Sequence, residues 1–583
     1  MDIFNFITLA GGLAFFLYGM HVMSAGLEKM AGGKLEKILK KMTSNPLKGM
    51  MLGAGITIAI QSSSAMTVML VGLVNSGVMK LSQTVSLIMG SNVGTTLTAW
   101  ILSMSGIEGD SFFIKMLKPT SFAPIIALIG IGFIMMAKKA SKKDLGAIFV
   151  GFAILMSGMT LMSDAVSPLA DMPEFTSLLT AFTNPILGVI IGAVFTGLIQ
   201  SSAASVGILQ ALALTGSITY EMAIPIIMGQ NIGTCVTALI SSIGVNKNAK
   251  RVSVVHITFN MVGTIVVLLI YFLAQLFFPL EFLVDPIDQV GIAACHSIFN
   301  IFTTALIFPF QKYLVRFAET AIKDTGKAEK QEVTFIDERL LKTPSVALSE
   351  CHNRTVEMAK LSKTTVLNAV QLLKTFDNKL YEQVIEEEDL IDRYEDKLGT
   401  YLVKLSSNAL SMSDSKEIST LLHTIGDFER LGDHAVNILK SAKEINDKDI
   451  SFSSDANAEI AVLSDAIQNI LTITIDSFVS GNLEHATDVE PLEQVIDELI
   501  ATIKANHIRR LQHGNCTIEL GFVLSDLLTN YSRISDHCSN IAVAMIEVAQ
   551  NSFDTHEYLN SIKTMENEEF KKRFQKYREQ YKL

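Results

Sequence analysis

The chain has 583 residues, of which 49% are hydrophobic, and a formal net charge of −11. Residues 1–325 contain 19 basic and 15 acidic residues, whereas residues 326–583 contain 28 basic and 43 acidic ones. Only the first part has apolar stretches of about 20 residues, the length that crosses a ~30 Å hydrocarbon core. Five cysteines without a Cys-x-x-Cys pair argue against a disulfide framework or a zinc site, and no nucleotide-binding loop motif occurs. Nucleotide-driven transport therefore has no support.

Seven membrane spans are predicted in the first part. The first apolar run, residues 4–24, has no basic region before it, so we expect a retained span rather than a cleaved signal peptide. The other spans are expected near residues 82–104, 120–137, 145–163, 221–243, 252–276 and 288–310. Two further apolar segments, 46–75 and 185–214, begin with Asn-Pro and are broken near the middle by Gln-Ser-Ser. Such segments predict two re-entrant helical hairpins.

Both hairpins belong to an internal duplication. Residues 44–99 align without gaps on residues 183–238, at a constant offset of 139, and 22 of the 56 positions are identical. The identities concentrate in Gln-Ser-Ser at residues 61–63 and 200–202 and in Met-Gly-x-Asn-x-Gly-Thr at residues 89–95 and 228–234. The sequence therefore contains two copies of one unit, at about 7–138 and 146–276, followed by a final span.

The basic residues predict the orientation of the repeats. They cluster in the loops after the first, third, fifth and seventh spans, whereas the loops after the fourth and sixth spans are acidic. The basic residues concerned are Lys29, Lys34, Lys37, Lys40, Lys41, Lys138, Lys139, Lys142, Lys143, Lys247, Lys250, Arg251, Lys312 and Arg316. By the positive-inside rule, the N-terminus lies outside and the C-terminal part is cytoplasmic. The repeats then run in opposite directions, as in secondary transporters whose binding site lies at the repeat interface.

The polar residues at the hairpin breaks, and on the spans that follow them, form the candidate binding site. Hydroxyl and amide groups both donate and accept hydrogen bonds, so they suit an anion and its counter-ion together. Sodium takes oxygen ligands, while an oxyanion takes hydroxyl hydrogens and the free N–H groups at helix starts. The candidates for binding phosphate and sodium are Gln61, Ser62, Ser63, Ser64, Thr67, Asn92, Thr95, Gln200, Ser201, Ser202, Ser205, Asn231 and Thr234.

Other readings of these polar residues stay open. Serine, glycine and asparagine in membrane helices also serve close packing and interhelical hydrogen bonds, although the identical placement of Gln-Ser-Ser at two breaks favours binding. Arg251 is a further candidate contact for phosphate, but as one of three cations in a predicted cytoplasmic loop it also suits a topology anchor. We assign His256 and His296, in matching His-x-x-Phe-Asn motifs, to interhelical hydrogen bonds.

Together, the doubled motifs closely resemble those of the type II sodium/phosphate cotransporter family, over about residues 5–310. The resemblance implies a carrier rather than an enzyme, in the plasma (inner) membrane, which takes up inorganic phosphate with Na⁺ as coupling ion and needs no nucleic-acid partner. Ala203 stands where the first motif has Ser64, so the second motif has one hydroxyl fewer. Two other functions remain as alternatives: a membrane phosphate sensor that signals through the C-terminal part, and an anion channel.

Beyond a predicted membrane domain at 1–320 and a linker at 321–335, residues 336–583 predict an all-helical cytoplasmic bundle. A second repeat occurs there: Glu388 and Asp392 recur as Glu493 and Asp497, and Glu-Arg-Leu-Gly-Asp-His at 429–434 recurs as Ser-Arg-Ile-Ser-Asp-His at 532–537. Two three-helix units are therefore expected.

This tail resembles the PhoU phosphate-regulation domain. The resemblance implies a regulatory role, contacts with a second copy or a regulatory protein, and a divalent or iron-type metal on carboxylates spaced one helical turn apart. The candidate ligands are Glu429, Asp433 and Asp536, while Ser532 replaces the second acid. The alternative is that these carboxylates lie on solvated helix faces.

Overall fold

The computed structural model describes residues 3–31, 45–77, 79–106, 119–168, 183–278, 280–323, 336–408, 410–514, 516–550 and 568–583. Within these ranges the chain is helical and has no strand apart from an isolated bridge between Thr219 and Pro286. The predicted all-α class is therefore confirmed. Most of the predicted linker and several predicted loop charges lie outside the described residues, namely 324–335, Lys34, Lys37, Lys40 and Lys41.

The chain divides into two compact units. The first comprises Met1–Ala347 with Ala409–Ser411, and the second comprises Leu348–Asn408 with Met412–Leu583. The helices of the first unit are α1 (Ile3–Ala31), α2 (Pro46–Ile60), α3 (Ser63–Asn75), α4 (Leu81–Ser103), α5 (Pro119–Met136), α6 (Ala140–Val166), α7 (Pro185–Ile199), α8 (Ser202–Ala213), α9 (Tyr220–Gly233), α10 (Cys235–Ser241), α11 (Lys247–Phe277), α12 (Gln289–Ile307) and α13 (Gln311–Ala321). Short 3₁₀ turns lie at Met104–Gly106, Glu281–Val284, Phe308–Phe310 and Glu338–Lys342.

Seven helical segments among the described residues are long and apolar enough to cross a membrane, as judged by length and composition. Six belong to the first unit, where the shorter apolar α5 occupies the predicted third span and α9 with α10 forms the fifth. The seventh, Ser454–Ser480, belongs to the second unit, where it packs into the helical bundle and carries the exposed Asp476. The first unit is thus a multi-pass membrane domain with two broken hairpins, α2–α3 and α7–α8.

Helices α1 and α6 are the equivalent first helices of the two repeats, and they pack tightly against each other. A Cβ at Gly12 or Gly19 would collide with the backbone of α6, and one at Gly151 or Gly158 would collide with the backbone of α1. Small residues at these crossings let the two backbones approach closely, which supplies van der Waals contact within lipid. The buried Phe16 lies at this crossing.

The first arm of each hairpin packs on the next helix of its own repeat through equivalent glycines. Gly90 of α4 lies against the Met50 carbonyl of α2, and Gly229 of α9 lies against the Val189 carbonyl of α7. Because the approach is backbone to backbone, a side chain at either glycine would force the two helices apart. The glycines of the repeated motif are therefore packing residues, which explains why they recur at the same offset.

A segment just before the second unit packs within the first. Asp337 accepts a hydrogen bond of 2.6 Å from Asn75 at the end of α3 and pairs with Arg339 at 3.0 Å. Leu340 is fully buried and lies where a Cβ on Gly72 would be. Residues 336–347, which the sequence placed at the start of the tail domain, thus pack against the second arm of the first hairpin.

The second unit consists of long amphipathic helices. They are α14 (Pro344–Lys374, which begins in the first unit), α15 (Asn378–Ser406), α16 (Met412–Asp447), α17 (Ser454–Ser480), α18 (Leu483–Ala486), α19 (Val489–Gln512), α20 (Ile518–Gln550) and α21 (Glu568–Gln580). The equivalent helices α16 and α20 pack extensively against each other. They bring His434 and His537 together, with stacked rings 5.5 Å apart.

Candidate functional site

Each hairpin is broken at a glutamine with a left-handed backbone. Gln61 has φ 56° and ψ 24°, and Gln200 has φ 58° and ψ 22°. A left-handed residue ends a helix because it turns the chain out of the right-handed path, and outside glycine and asparagine it is uncommon. The two breaks therefore have the same backbone geometry, at a conformation that persists only where the surroundings enforce it.

The serine after each glutamine starts the second arm of the hairpin. The Ser62 hydroxyl accepts a hydrogen bond of 3.1 Å from the Ala65 amide, and the Ser201 hydroxyl accepts one of 3.2 Å from the Ala204 amide. Both serines are N-caps, which leaves each hydroxyl hydrogen available to a ligand. The first-turn amides of α3 and α8 have no partner within their own helices, so each break presents the positive end of a helix.

The remaining candidates near the breaks are buried or partly buried. Ser63 and Ser202 occupy equivalent positions at the helix starts, and Ser64 is partly buried. The Thr67 hydroxyl donates to the Ser63 carbonyl at 3.0 Å, one turn earlier in α3. Ser205 accepts a hydrogen bond of 2.7 Å from Thr196, which ties the two arms of the second hairpin together.

Three of the candidates on α4, on α9 and just after α9 donate hydrogen bonds to backbone carbonyls close to them in sequence. The Thr95 hydroxyl donates to the Ser91 carbonyl of its own helix at 2.9 Å, and Thr234 donates to the Asn231 carbonyl at 2.6 Å. Asn231 donates to the Ile227 carbonyl at 3.3 Å, also within its own helix. The amide oxygens and the oxygen lone pairs of these side chains remain available as acceptors, as a sodium site requires.

Asn260 of α11 joins the two repeats. Its amide oxygen accepts a hydrogen bond of 2.7 Å from Asn92 of the first repeat, and its amide nitrogen lies 3.4 Å from the Cys235 sulfur of the second. The sequence places Asn260 in a repeated motif but predicts no binding role for it. The structure places it where the two Gly-x-Asn-x-Gly-Thr blocks meet.

A stripe of polar residues extends from Asn260 along α11 and recurs on α12. His256, Asn260 and Thr264 are spaced four residues apart on α11, and Thr264 points to the Met228 carbonyl at 3.5 Å. On α12 the same spacing occurs at residues 296, 300 and 304, with the last pointing to the Met89 carbonyl at 3.4 Å. Met89 and Met228 are equivalent in the two repeats, so the final two spans each pack on one repeat in the same way. The repeated sequence motif thus extends to these two threonines, for which the sequence alone predicts no role.

Arg251 is bound by the protein itself. Its guanidinium donates to the Ile322 carbonyl, just after α13, at 2.7 and 3.1 Å, and to Asn248 at 2.7 Å. These bonds hold Arg251 at the C-terminal end of α13, where a cation is favoured by the helix dipole. Arg251 as a phosphate contact remains a hypothesis, and the structure gives this residue another partner.

In the tail, three carboxylates come together, and only one of them was a predicted ligand. Ligand oxygens of Glu388, Asp392 and Asp433 lie within 4.8 Å of one another and could hold a metal ion. Burial, followed by the neighbouring carboxylates, raises the pKa of Glu388 and of Asp392, as expected where like charges converge. Of the other predicted ligands, Glu429 lies 3.5 Å from Arg430 and Asp536 lies 3.2 Å from Arg533. The sequence shows Glu388 and Asp392 as part of a repeated motif but does not predict them as ligands.

The two repeated histidines of the tail link its two halves. His434 is 2.9 Å from Asn530, and His537 is 2.8 Å from Asp427. These contacts cross between α16 and α20 at the same repeat offset, so they tie the two three-helix units together. Burial lowers the pKa of His434, which favours its neutral form.

The geometry of the two hairpins indicates a class of protein. Two inverted repeats, each with a broken hairpin that presents a helix start inside an apolar domain, are typical of membrane transport proteins. The second unit adds a duplicated three-helix bundle. The model of the Na⁺/Pi-cotransporter family matches residues 15–164 and 154–285, and the model of the PhoU domain matches residues 355–442 and 460–545.

Several known proteins are similar to this chain. The chain is 22% identical over 566 residues to YjbB of Escherichia coli (strain K12), which carries the provisional name inorganic phosphate export protein, and the match covers 95% of this chain and 99% of YjbB. It is 30% identical over 311 residues to the uncharacterized protein YqeW of Bacillus subtilis (strain 168), covering 53% of this chain and 96% of YqeW. A crystal structure of PhoU from Pseudomonas aeruginosa is 22% identical and covers 35% of this chain and 98% of that chain, with a TM-score of 0.34. The chain belongs to the Na⁺/Pi-cotransporter family and carries a C-terminal PhoU domain.

Proposed function

We propose that the chain is a sodium-coupled phosphate carrier that works by alternating access. The observation that carries this proposal is the pair of equivalent hairpin breaks, each with a serine N-cap at the start of a helix. A helix start offers unpaired amides, a positive dipole end and a hydroxyl donor, which together suit a phosphate oxyanion. Ser62 and Ser201 are the residues we expect to donate to phosphate.

The same breaks suit sodium. At Gln61 and Gln200 the first arms α2 and α7 end, so carbonyl oxygens at the negative ends of these helices lie beside the helix starts. Hard cations take carbonyl, amide and hydroxyl oxygens as ligands. The family description names sodium with phosphate, which supports this assignment. We expect sodium and phosphate to bind close together and to neutralise part of each other's charge.

The direction of transport follows from the coupling. An inward sodium gradient drives a symporter inward, so we propose phosphate uptake, whereas the relative YjbB is named for export. Purified protein in proteoliposomes, with radiolabelled phosphate and imposed gradients of either sign, tests both. We expect phosphate to follow an imposed sodium gradient and a potassium gradient of equal size to drive no uptake. Phosphate flux that is the same with and without a sodium gradient would reject sodium coupling. Phosphate binding without flux would favour a receptor.

We further propose that the N-terminus lies outside and that the tail is cytoplasmic. The exposed Lys142 lies in the basic first turn of α6, and the exposed Glu281 lies in an acidic loop between α11 and α12. In intact cells, a cysteine replacing Glu281 should react with an impermeant thiol reagent, and one replacing Lys142 should not. The unsubstituted chain controls for its own cysteines. Labelling at Lys142 alone would reverse the proposed orientation.

The PhoU domain is proposed to regulate the flux rather than to supply ligands. Each hairpin break is built within the first unit, and the domain that follows is of a regulatory type. Glu388, Asp392 and Asp433 are the place where a metal ion could take part in this regulation. The three carboxylates supply hard oxygen ligands, which suit a divalent cation or iron.

A further inference from the structure

The two hairpins are built from the same residues but have different surroundings. Gln61 and Gln200 have nearly the same backbone angles, yet Gln61 is buried and only 7% exposed, whereas Gln200 is exposed. Two hydrogen bonds explain the difference. Each bond is formed in the first repeat, whereas the identical residues of the second repeat do not form it.

The first bond links the hairpin to the opening helix of its repeat. The Ser24 hydroxyl of α1 donates to the carbonyl of Ile60, the last residue of α2. The equivalent residues are Ser163 of α6 and Ile199 of α7, at the offset of 139. The Ser163 hydroxyl is buried and has no hydrogen-bond partner.

The second bond links the break itself to the helix that follows. Thr98 of α4 donates to the side-chain oxygen of Gln61 at 2.9 Å. The equivalent threonine is Thr237 of α10, whose hydroxyl is buried without a partner, and the equivalent Gln200 is exposed. The two missing bonds would link this hairpin to two different helices, α6 and α10.

Packing follows the same division. The first arm α2 packs against α1, and Ile56 on this arm is 2% exposed. Its equivalent on α7, Phe195, is 38% exposed, and within the described residues α7 has no comparable packing on α6. We call the first hairpin docked, because its first arm packs on the opening helix of its repeat and both hydrogen bonds are made. We call the second hairpin undocked, because its first arm lacks this packing and both bonds, although α7 packs on α9 and α8 packs on α6.

The asymmetry does not come from the residues that form the bonds, since all four pairs are identical. A buried hydroxyl without a partner is unfavourable, so Ser163 and Thr237 favour any conformation that returns Gln200 and Ile199 to them. In an inverted repeat, the conformation of one half is available to the other half. Interfaces of this kind tend to switch between two arrangements rather than deform continuously.

We propose that Ser24, Thr98, Ser163 and Thr237 are positioning residues that decide which hairpin is docked. This proposal rests on the carrier function proposed above and gives its two end states a structural definition. In the state described here, Ser24 and Thr98 hold the first hairpin. In the other state, Ser163 binds the Ile199 carbonyl, Thr237 binds Gln200, and the bonds of Ser24 and Thr98 are broken.

Disulfide trapping in membranes tests the exchange without depending on transport. A Gln200→Cys, Thr237→Cys pair should form a disulfide slowly, because these side chains meet only in the other state. Adding Ser24→Ala, which weakens the docking of the first hairpin, should speed its formation by about threefold or more, as a shift between two states requires. Mass spectrometry of the cross-linked peptide distinguishes this disulfide from one to the native Cys235.

The reciprocal pair completes the test. A Gln61→Cys, Thr98→Cys pair should form its disulfide quickly, and Ser163→Ala should leave it at least as fast. Ser157→Ala is the matched control, since the Ser157 hydroxyl bonds only the Ala153 carbonyl of its own helix at 2.9 Å. It should change neither rate. The exchange would be overturned if the Gln200→Cys, Thr237→Cys pair formed its disulfide equally fast with and without Ser24→Ala. It would also be overturned if that pair formed no disulfide in well-inserted protein.

Flux measurements separate this proposal from the carrier function. If both hold, Ser24→Ala in the otherwise unsubstituted chain changes the initial rate of phosphate flux in proteoliposomes by about twofold or more, whereas Ser157→Ala leaves the rate unchanged. If Ser24→Ala speeds disulfide formation but the unsubstituted chain shows no phosphate flux, the exchange is retained and the carrier function is rejected. Flux that continues through a fully cross-linked hairpin would retain the carrier and reject the exchange.

Discussion

Replacing Gly90 or Gly229 with alanine is expected to remove most of the folded protein from the membrane. A Cβ at Gly90 would overlap the Met50 carbonyl, and one at Gly229 would overlap the Val189 carbonyl. Neither obstacle is the movable end of a side chain, so α2 must separate from α4, or α7 from α9. Overpacking of this kind costs about 1–3 kcal/mol or more, and here it would also displace a hairpin break.

The chain provides a matched control for the glycine variants. Gly55 lies on α2 as well, but a Cβ there would meet nothing within 4 Å. Gly55→Ala should therefore leave the yield and the melting temperature of detergent-solubilised protein unchanged or slightly raised, because alanine favours the helix. Size-exclusion chromatography and thermal melting of the three variants give the answer. A Gly90→Ala protein as stable as Gly55→Ala would show that α2 and α4 are not in close contact.

Removing the serine hydroxyls at the hairpin breaks is expected to suppress transport without affecting insertion. Ser62→Ala or Ser201→Ala should lower sodium-dependent phosphate flux by about tenfold or more, since a dry site that loses a donor forfeits about 1–3 kcal/mol. Initial rates in proteoliposomes with matched protein content measure the effect. Unchanged flux in both variants would reject the serines as ligands.

The N-cap role of these serines requires a separate control. Ser62 and Ser201 also accept hydrogen bonds from Ala65 and Ala204, so alanine removes a helix cap together with the hydroxyl. Glycine is tolerated at an N-cap at a cost of only a few tenths of a kcal/mol. Ser62→Gly should therefore keep the hairpin stable and still lose transport, whereas Ser62→Thr should retain most of both. Full transport by Ser62→Gly would show that Ser62 is not a ligand and serves only as a helix cap.

The sequence was most informative where a local rule acts on adjacent residues. Asn-Pro before each hairpin is a helix start, and in the structure Asn45 and Asn184 cap α2 and α7 with their side chains. The constant offset of 139 residues shows by itself that the two hairpins are equivalent. These signals depend on residues within one or two helical turns of each other, so they can be read along the chain.

Contacts between distant segments were not predictable in the same way. The carboxylates of Glu388 and Asp392 meet Asp433 only because α15 and α16 lie side by side, whereas the sequence suggested Glu429 and Asp433 from spacing within one helix. Asp337 was placed in the tail domain because it follows the linker in sequence. It packs against Asn75, 262 residues earlier, which no local pattern indicates.

By itself, then, the sequence determined the class of this protein: a duplicated, inverted membrane domain with two broken hairpins, followed by a duplicated helical tail. Periodicity, caps and repeated motifs are local properties, and they specify these elements directly. Only the tertiary structure decided that Asn260 joins the two repeats and that one hairpin is docked while the other is not. Identical residues, such as Ser24 and Ser163, can take either arrangement, because the difference lies in the packing between helices and not in the residues themselves.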